Sequence, residues 1–272
     1  MSGLIASLWV LAGICFVTWL LSVITKDTSW VDRIWSVIPI VYLWVFAAST
    51  GFADPRVNVM AIIVTLWGAR LTFNFARKGG YQPGGEDYRW EVLRQSMSPA
   101  QYQLFNIFFI VIYQNIILWL ITLPAWAITQ TSGSFTAWDV LLTIAFLALL
   151  TLETVADQQQ WNFYQRKKAT VAAGKTPESN FLTKGLFSVS RHPNFFAEQS
   201  QWWVIFLFAV AAGAAPWTVI GAALLSILFI GSTRFTESIS VSKYPEYRDY
   251  QRRVSPIIPW FPKPESSVKR AN

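Results

Sequence analysis

The chain has 272 residues, of which 53% are hydrophobic and 14% charged, with 15 Trp, 20 Phe and 9 Tyr and a mean hydropathy of +0.36. A soluble domain carries about 25% charged residues, so an ordinary soluble globule is excluded, and so much apolar surface excludes a disordered chain. The formal net charge is +7, but the basic residues cluster at the ends of apolar runs, which points to a lipid surface and not to nucleic acid. The single cysteine, Cys15, lies inside an apolar run, which excludes an intramolecular disulfide and a cysteine-based metal site.

Seven apolar stretches follow in chain order, at about 4–24, 30–50, 57–75, 102–128, 140–156, 195–215 and 217–231. Most are long enough for a helix across ~30 Å of hydrocarbon at 1.5 Å per residue, and far too long for barrel strands. The first has no Lys or Arg before it and no cleavage site followed by a soluble domain, so it reads as a retained helix. The fifth is short and runs on into Asp157, and the sixth starts polar with Glu198, Gln199 and Gln201. The expectation is an all-α integral membrane protein: one domain over 1–272, a seven-transmembrane-helix bundle with a cytoplasmic tail at 236–272.

The positive-inside rule orients the bundle. With the N-terminus outside, 18 of the 22 basic residues fall on inner segments. These include Lys26, Arg77, Lys78, Arg89, Arg94, the run from Arg166 to Arg191, and a tail reaching Lys269 and Arg270. The outer loops hold only Arg56, so the C-terminus is expected in the cytoplasm. The long segments lie on the same inner side, which places any chemistry there. Lys167, Lys168, Lys269 and Arg270 are accounted for as anchors to anionic lipid.

A charge at the centre of a span costs ~2.5–3.5 kcal/mol, so ionisable residues inside spans are functional candidates. Here they are Asp32 with Arg33, Arg70, Glu153 with Asp157, Glu198, Arg234 and Glu237. Structural salt bridges within the bundle are the alternative reading. Glu153 and Asp157 are four apart, as are Asn194 and Glu198, so each pair shares a helix face, with Trp202 one turn beyond Glu198. Both faces are expected to look into a polar cavity.

The segment Gly185-Leu-Phe-Ser-Val-Ser-Arg-His-Pro-Asn194 is the densest in information. Pro193 suits a first helical turn. Arg191 and His192 stand at that end, where the orphan amides and the helix dipole favour an anion such as phosphate. His192 is the only histidine, so no multi-histidine metal site exists. A second cluster follows Glu237: Tyr244-Pro-Glu-Tyr247-Arg-Asp-Tyr250-Gln-Arg-Arg253, which suits a short interfacial helix with an aromatic and a basic side. Phosphates meeting its arginines and a plain interfacial anchor both fit that pattern. Neither a dinucleotide-type G-x-G-x-x-G after a strand nor a phosphate-loop motif occurs.

Gly185-Leu-Phe-x₃-Arg-His-Pro-Asn-Phe-Phe-x-Glu198, with the Tyr-Pro-x-Tyr…Arg-Arg…Ile-Pro tail, resembles the steroid 5-alpha-reductase superfamily, most of all its branch of bacterial membrane proteins of unknown function. Trp30-Val-Asp32-x₂-Trp35, Leu66-Trp-x₂-Arg70-Leu, Glu86-Asp-Tyr-Arg89, Tyr113-Gln114 and Glu153-x₃-Asp157-x₂-Gln160 extend the resemblance over about residues 28–262. Isoprenylcysteine carboxyl methyltransferases carry a similar Arg-His-Pro stretch and tail. The resemblance implies seven helices, NADPH in a cavity open to the cytoplasm, and reduction of a carbon–carbon double bond conjugated to a carbonyl. It implies that Asp157, Asn194, Glu198 and Glu237 line the cofactor, with Gln160, Arg234, Tyr247, Arg248 and Arg252 beside them. Arg191 and His192 join them on the anion argument. The third helix has no Tyr where the steroid enzymes have one, and Arg70 and Asn74 stand there as polar groups, so a steroid is not implied.

The reductase chemistry needs a donor aimed at the carbonyl oxygen as charge grows on it. A buried Asp that keeps its proton fills that role. Asp32 is the expected donor, with Arg70 as its charge partner or a second donor and Tyr113 or Gln114 near the substrate. The expectation is thus an NADPH-dependent oxidoreductase in a bacterial inner membrane. Its substrate is apolar, steroid- or lipid-like, and enters from the bilayer; membrane lipid is the other partner and nucleic acid is not one. The alternatives are an S-adenosylmethionine-dependent membrane methyltransferase and a non-catalytic membrane protein or transporter.

Overall fold

The computed structural model describes residues 2–264, and over that range it is helical with no strand. Lys269 and Arg270, counted above in the tail, lie outside the described residues. The chain divides into two compact units. One takes Trp202–Leu225 together with the chain up to Phe146; the other takes Leu147–Gln201 and the chain from Ser226 onward.

In the first unit, α1 (Gly3–Thr25) begins at Ser2, whose hydroxyl accepts from the Ile5 amide at 3.4 Å, and ends on Lys26 in the left-handed region, φ 57°. Its buried positions are Gly3, Ser7, Thr18 and Ser22, while Trp9, Phe16 and Ile24 face outward. Ser7 accepts from Trp119 Nε1 at 2.9 Å, and Ser22 from Asn106 Nδ2 at 2.9 Å. Polar inside and apolar outside is the arrangement that lipid favours.

The predicted span at 30–50 is corrected to two pieces, α2 (Trp30–Ile34) and α3 (Ile38–Ser49). Pro39 lacks the amide that would bond back one turn, so the helix restarts there. Next comes α4 (Pro55–Arg77), capped by Asp54, whose carboxylate accepts from the Arg56 and Val57 amides at 2.9 and 3.2 Å. It packs on α3 at Gly68, where a Cβ would stand 2.3 Å from the Ser36 carbonyl oxygen. The inner loop after α4 is not wholly irregular, because α5 (Tyr88–Gln95) forms in it.

The predicted span at 102–128 starts earlier and is interrupted. A capping box of Ser98 and Gln101 opens α6 (Pro99–Phe105), which passes into a π-helical segment, Asn106–Tyr113, and then α7 (Gln114–Leu120). Pro124 breaks the helix again before α8 (Leu123–Ile128).

Three later boundaries are also corrected. The span at 140–156 belongs to α9 (Ala137–Ala172), a 36-residue helix. Arg166, Lys167 and Lys168 therefore lie on a helix, not in a loop. The sixth span is α10 (Pro193–Ala211), and the seventh extends into α11 (Val219–Lys243). The tail proper starts after Lys243 and carries α12 (Tyr247–Arg253). Among the described residues five helical runs are long and apolar enough to cross a membrane: Gly3–Thr25, Pro55–Arg77, Pro99–Ile128, Ala137–Ala172 and Pro216–Lys243. This is an integral membrane protein; α3 is apolar but shorter.

The first turns of α4 and α9 are joined by a buried ion pair. Arg56 Nε lies 2.5 Å from Asp139 Oδ1 and Nη2 lies 2.8 Å from Oδ2, with 2% and 0% of the two side chains exposed. Asp139 also accepts from the Thr136 amide at 2.7 Å and its hydroxyl at 2.9 Å, and Arg56 reaches the Ser134 carbonyl at 2.8 Å. Removing one partner of such a pair strands a buried charge, at about 3–5 kcal/mol. Arg56→Met is expected to lower the unfolding temperature in detergent far more than the double change Arg56→Met with Asp139→Leu. Equal losses would show that the pair contributes only through its packing.

Candidate functional site

The second unit is organised at the start of α10. A 3-10 turn, Gly185–Ser188, precedes it, with Gly185 at φ 67°. A Cβ there would stand 2.5 Å from Gln159 Oε1, the same atom that accepts from the Leu186 amide at 2.9 Å. Beyond α12 the tail runs back along this segment. The Arg191 amide donates to the Ser255 carbonyl at 2.8 Å, Ser190 Oγ to the Ile257 carbonyl at 2.6 Å, and the Trp260 amide to the Val189 carbonyl at 2.9 Å.

At the centre lies Glu237, buried on α11. Arg191 grips it with two bonds, Nε to Oε1 at 2.6 Å and Nη2 to Oε2 at 2.9 Å. Gln251 Nε2 donates to Oε2 at 2.8 Å, and His192 Nε2 lies 3.0 Å from Oε1. Arg191 Nη1 donates to the carbonyls of Gln251, at 3.0 Å, and of Val254. The guanidinium that the sequence assigned to an anion thus holds a carboxylate of the same chain, together with tail carbonyls.

Tyr247 and Tyr250 of α12 are buried against Phe181, whose ring stacks on Tyr250 at 5.7 Å and meets Tyr247 edge-on at 4.9 Å. The Tyr250 hydroxyl donates to the Phe187 carbonyl. Burial pushes both phenols above their usual range, so they remain protonated donors. The opposite side of α12 is exposed. Arg248, Gln251 and Arg252 line an open cleft of about 480 Å³ there, and Arg252 pairs with Asp249 at 2.8 Å.

Both four-residue pairs stand on inward faces. Glu153 is 1% exposed and accepts from Gln201 Nε2 at 2.8 Å, and Asp157 accepts from Asn194 Nδ2 at 3.4 Å. Glu198 is buried one turn beyond Asn194, and Glu153, Asp157, Glu198 and the half-buried Gln160 each engage further partners. Arg234 is exposed on α11. The structure therefore joins Arg191, His192 and Glu237, and separately joins Asp157 to Asn194. Arg234, Arg248 and Arg252 stay at the surface.

The substrate-side candidates lie in the first unit. Asp32 on α2 accepts from Trp90 Nε1 at 2.7 Å. Its neighbour Arg33 pairs with Asp27 at 2.6 Å. Arg70 is half-buried and has partners. Tyr113 closes the π-helical segment and stacks on Phe109 at 5.3 Å, beside the buried Gln114.

Sequence reasoning missed Gln251, Gln201 and Trp90 as partners of the singled-out acids. Glu86 entered only as part of the Glu86-Asp-Tyr-Arg89 motif, and its partners went unread: it accepts from the Thr28 amide and hydroxyl, both at 2.8 Å, and from Arg94 Nη2 at 2.6 Å. Gln251 read as one more polar position of a basic helix, and no local spacing ties Glu86 to Thr28. Among the described residues no group of three His, Cys, Asp or Glu side chains could hold a metal ion.

Glu237→Gln would leave Arg191 buried with a neutral partner, and is expected to cost about 3–5 kcal/mol of stability and to free residues beyond 253 for proteolysis. Arg248→Ala, on the exposed side of the same tail, should leave both readouts unchanged. Equal behaviour of the two variants would remove Glu237 from the centre of this cluster.

The chain is similar to an uncharacterized protein of Schizosaccharomyces pombe, 40% identical over 261 residues that cover 89% of this chain and 76% of the relative. It is also similar to methanethiol S-methyltransferase 1 of Bradyrhizobium diazoefficiens, 30% identical over 149 residues. That match takes in 53% of this chain and only 46% of the enzyme. Relatives in a yeast as well as a bacterium mean that the similarity does not restrict the chain to bacteria. No solved structure matches. Residues 18–254 match the family described as protein of unknown function (DUF1295), and with so much of the chain covered the protein belongs to that family.

Proposed function

We propose that the protein is a membrane-embedded methyltransferase that uses S-adenosylmethionine to methylate a small apolar nucleophile arriving from the bilayer. The observation that carries this reading is the state of Arg191. Its guanidinium is committed to Glu237 and to tail carbonyls, so the start of α10 offers no free cation to a cofactor's phosphates. S-adenosylmethionine has no phosphate. The similarity to a methanethiol S-methyltransferase supports the same class.

When bound, S-adenosylmethionine supplies a methyl group on a cationic sulfonium sulfur. The chemistry of the donor set suits it. Asp157 and Glu198 are buried carboxylates that favour a nearby positive charge, and Asn194 offers an amide for hydroxyl or ring nitrogen. Arg191, His192 and Glu237 act as positioning residues, since they fix the first turn of α10 and with it Asn194 and Glu198. The same proposal keeps seven crossings, the two further ones being α10 and the run from α2 through α3. It places the N-terminus outside and the site toward the cytoplasm, supported by the basic residues gathered on one set of helix ends.

A second reading, an NADPH-dependent reductase of a conjugated double bond, is favoured by one observation. The cleft beside Arg248, Gln251 and Arg252 presents two exposed guanidinium groups, a fit for phosphate. In that reading Asp32 supplies the proton donor toward the substrate oxygen.

Thermal unfolding of the purified protein in detergent separates the two. A ligand at about 100 times its dissociation constant adds ~2.7 kcal/mol, which at this chain length moves the midpoint by roughly 5 °C or more. S-adenosylmethionine and S-adenosylhomocysteine are expected to give that shift and NADPH none. A shift with NADPH alone, lost in Arg248→Ala with Arg252→Ala, would overturn methyl transfer in favour of reduction.

A further inference from the structure

We propose that α12 and the strap behind it, residues 255–263, form a docking surface for the headgroups of anionic phospholipid. The surface takes no part in methyl transfer, and it gives the cleft beside α12 to a lipid phosphate and not to that of NADPH.

The place of α12 along the chain sets its depth. The run Pro216–Lys243 has 28 residues, which at 1.5 Å per residue is about 42 Å, the thickness of a bilayer with its headgroups. α12 starts at Tyr247, three residues past that end, so it lies at the level of the headgroups. Its two sides then divide. Tyr247 and Tyr250 are buried in the protein, while Arg248 and Arg252 line the open cleft with Gln251. Arg248 is exposed and has no acid partner among the described residues. Arg252 pairs with Asp249 at 2.8 Å, but both side chains are exposed, and an exposed pair is weak enough to open for a phosphate. Two guanidinium groups one helical turn apart suit a phosphodiester. A zwitterionic headgroup brings a choline cation that they repel, so the surface selects a net anion.

The strap supplies the apolar half. The Lys263 amide donates to the Arg253 carbonyl at 2.9 Å, which brings the strap back to the end of α12 and sets the exposed Lys263 beside it. Between those points the backbone is tied to Val189, Ser190 and Arg191, and Ile257 is buried. Ile258, Trp260 and Phe261 nevertheless face outward, the last two at 70% and 85% exposure, with their rings edge-on at 6.4 Å. A backbone bonded in this way holds the rings outward. Aromatic rings beside Arg and Lys are the composition of an interfacial anchor: the rings enter the headgroup and upper acyl layer and the cations meet phosphate.

The test is competition between dioleoyl phosphatidylglycerol and dioleoyl phosphatidylcholine for the full protein in detergent, read by native mass spectrometry. The two lipids differ only in the headgroup. A basic group near an anionic headgroup gives about a fivefold preference, and Arg248→Ala with Arg252→Ala is expected to lower the preference for phosphatidylglycerol roughly twenty-fivefold. Lys175→Ala with Lys184→Ala removes the same charge from exposed positions elsewhere in the second unit and is expected to leave the preference as it is. Trp260→Ser with Phe261→Ser is expected to weaken both lipids by a common factor; unchanged binding of both would overturn the proposal. No preference in the unmodified chain, or an equal loss in the arginine and lysine variants, would also overturn it. So would displacement of bound phosphatidylglycerol by NADPH at equal concentration, which would give the cleft to a soluble phosphate. The lipid preference and the NADPH competition of the unmodified chain decide by themselves if a variant does not fold.

Discussion

Lipid offers no hydrogen bonds, and that one constraint sets where the polar side chains of the membrane-crossing helices can go. In water a helix hides its apolar stripe; here α1 buries Gly3, Ser7, Thr18 and Ser22 and turns Trp9 and Phe16 outward. The inward hydroxyls are then available to Trp119, Asn115 and Asn106 across the bundle. These bonds and close backbone approach, as at Gly68, give association between helices that have no hydrophobic drive toward one another in lipid.

The same constraint explains why the buried charges come in pairs. Arg56 and Asp139 pair with one another and tie in Thr136 and Ser134, so the start of α9 is fixed to the start of α4. Arg191 and Glu237 do the equivalent in the second unit, with Gln251 and His192 filling the carboxylate's remaining sites. A bidentate arginine suits that role better than a lysine, because its planar fork matches the carboxylate and serves backbone carbonyls at the same time. Net charge was therefore a poor guide to free charge. Of the basic residues read as an anion grip, Arg191 is neutralised inside the fold, while Arg248 and Arg252 remain at the surface.

Five of the seven spans were legible because hydropathy and length measure the thickness of hydrocarbon. The same signal could not show where helices end. α9 continues sixteen residues past the apolar run at 156, and α11 twelve past the run at 231, since a helix leaving the lipid needs no apolar residues to persist. Pro39 and Pro124 stood in plain view, yet their runs were apolar enough to read as continuous. The π-helical turn at 106–113 left no mark in the pattern at all. In the site, rarity was informative: a charge within a span is costly, which singled out Asp32, Arg33, Arg70, Glu153, Asp157, Glu198, Arg234 and Glu237. Pairing was not legible, because Arg191 and Glu237 are 46 residues apart and nothing local links them.

In a set such as Arg191–Glu237 the guanidinium and the carboxylate are taken up within the chain, so the effect of the set is to hold neighbouring groups in place. Its consequence runs along α10, where a fixed first turn holds Asn194 one turn from Glu198 and near Asp157.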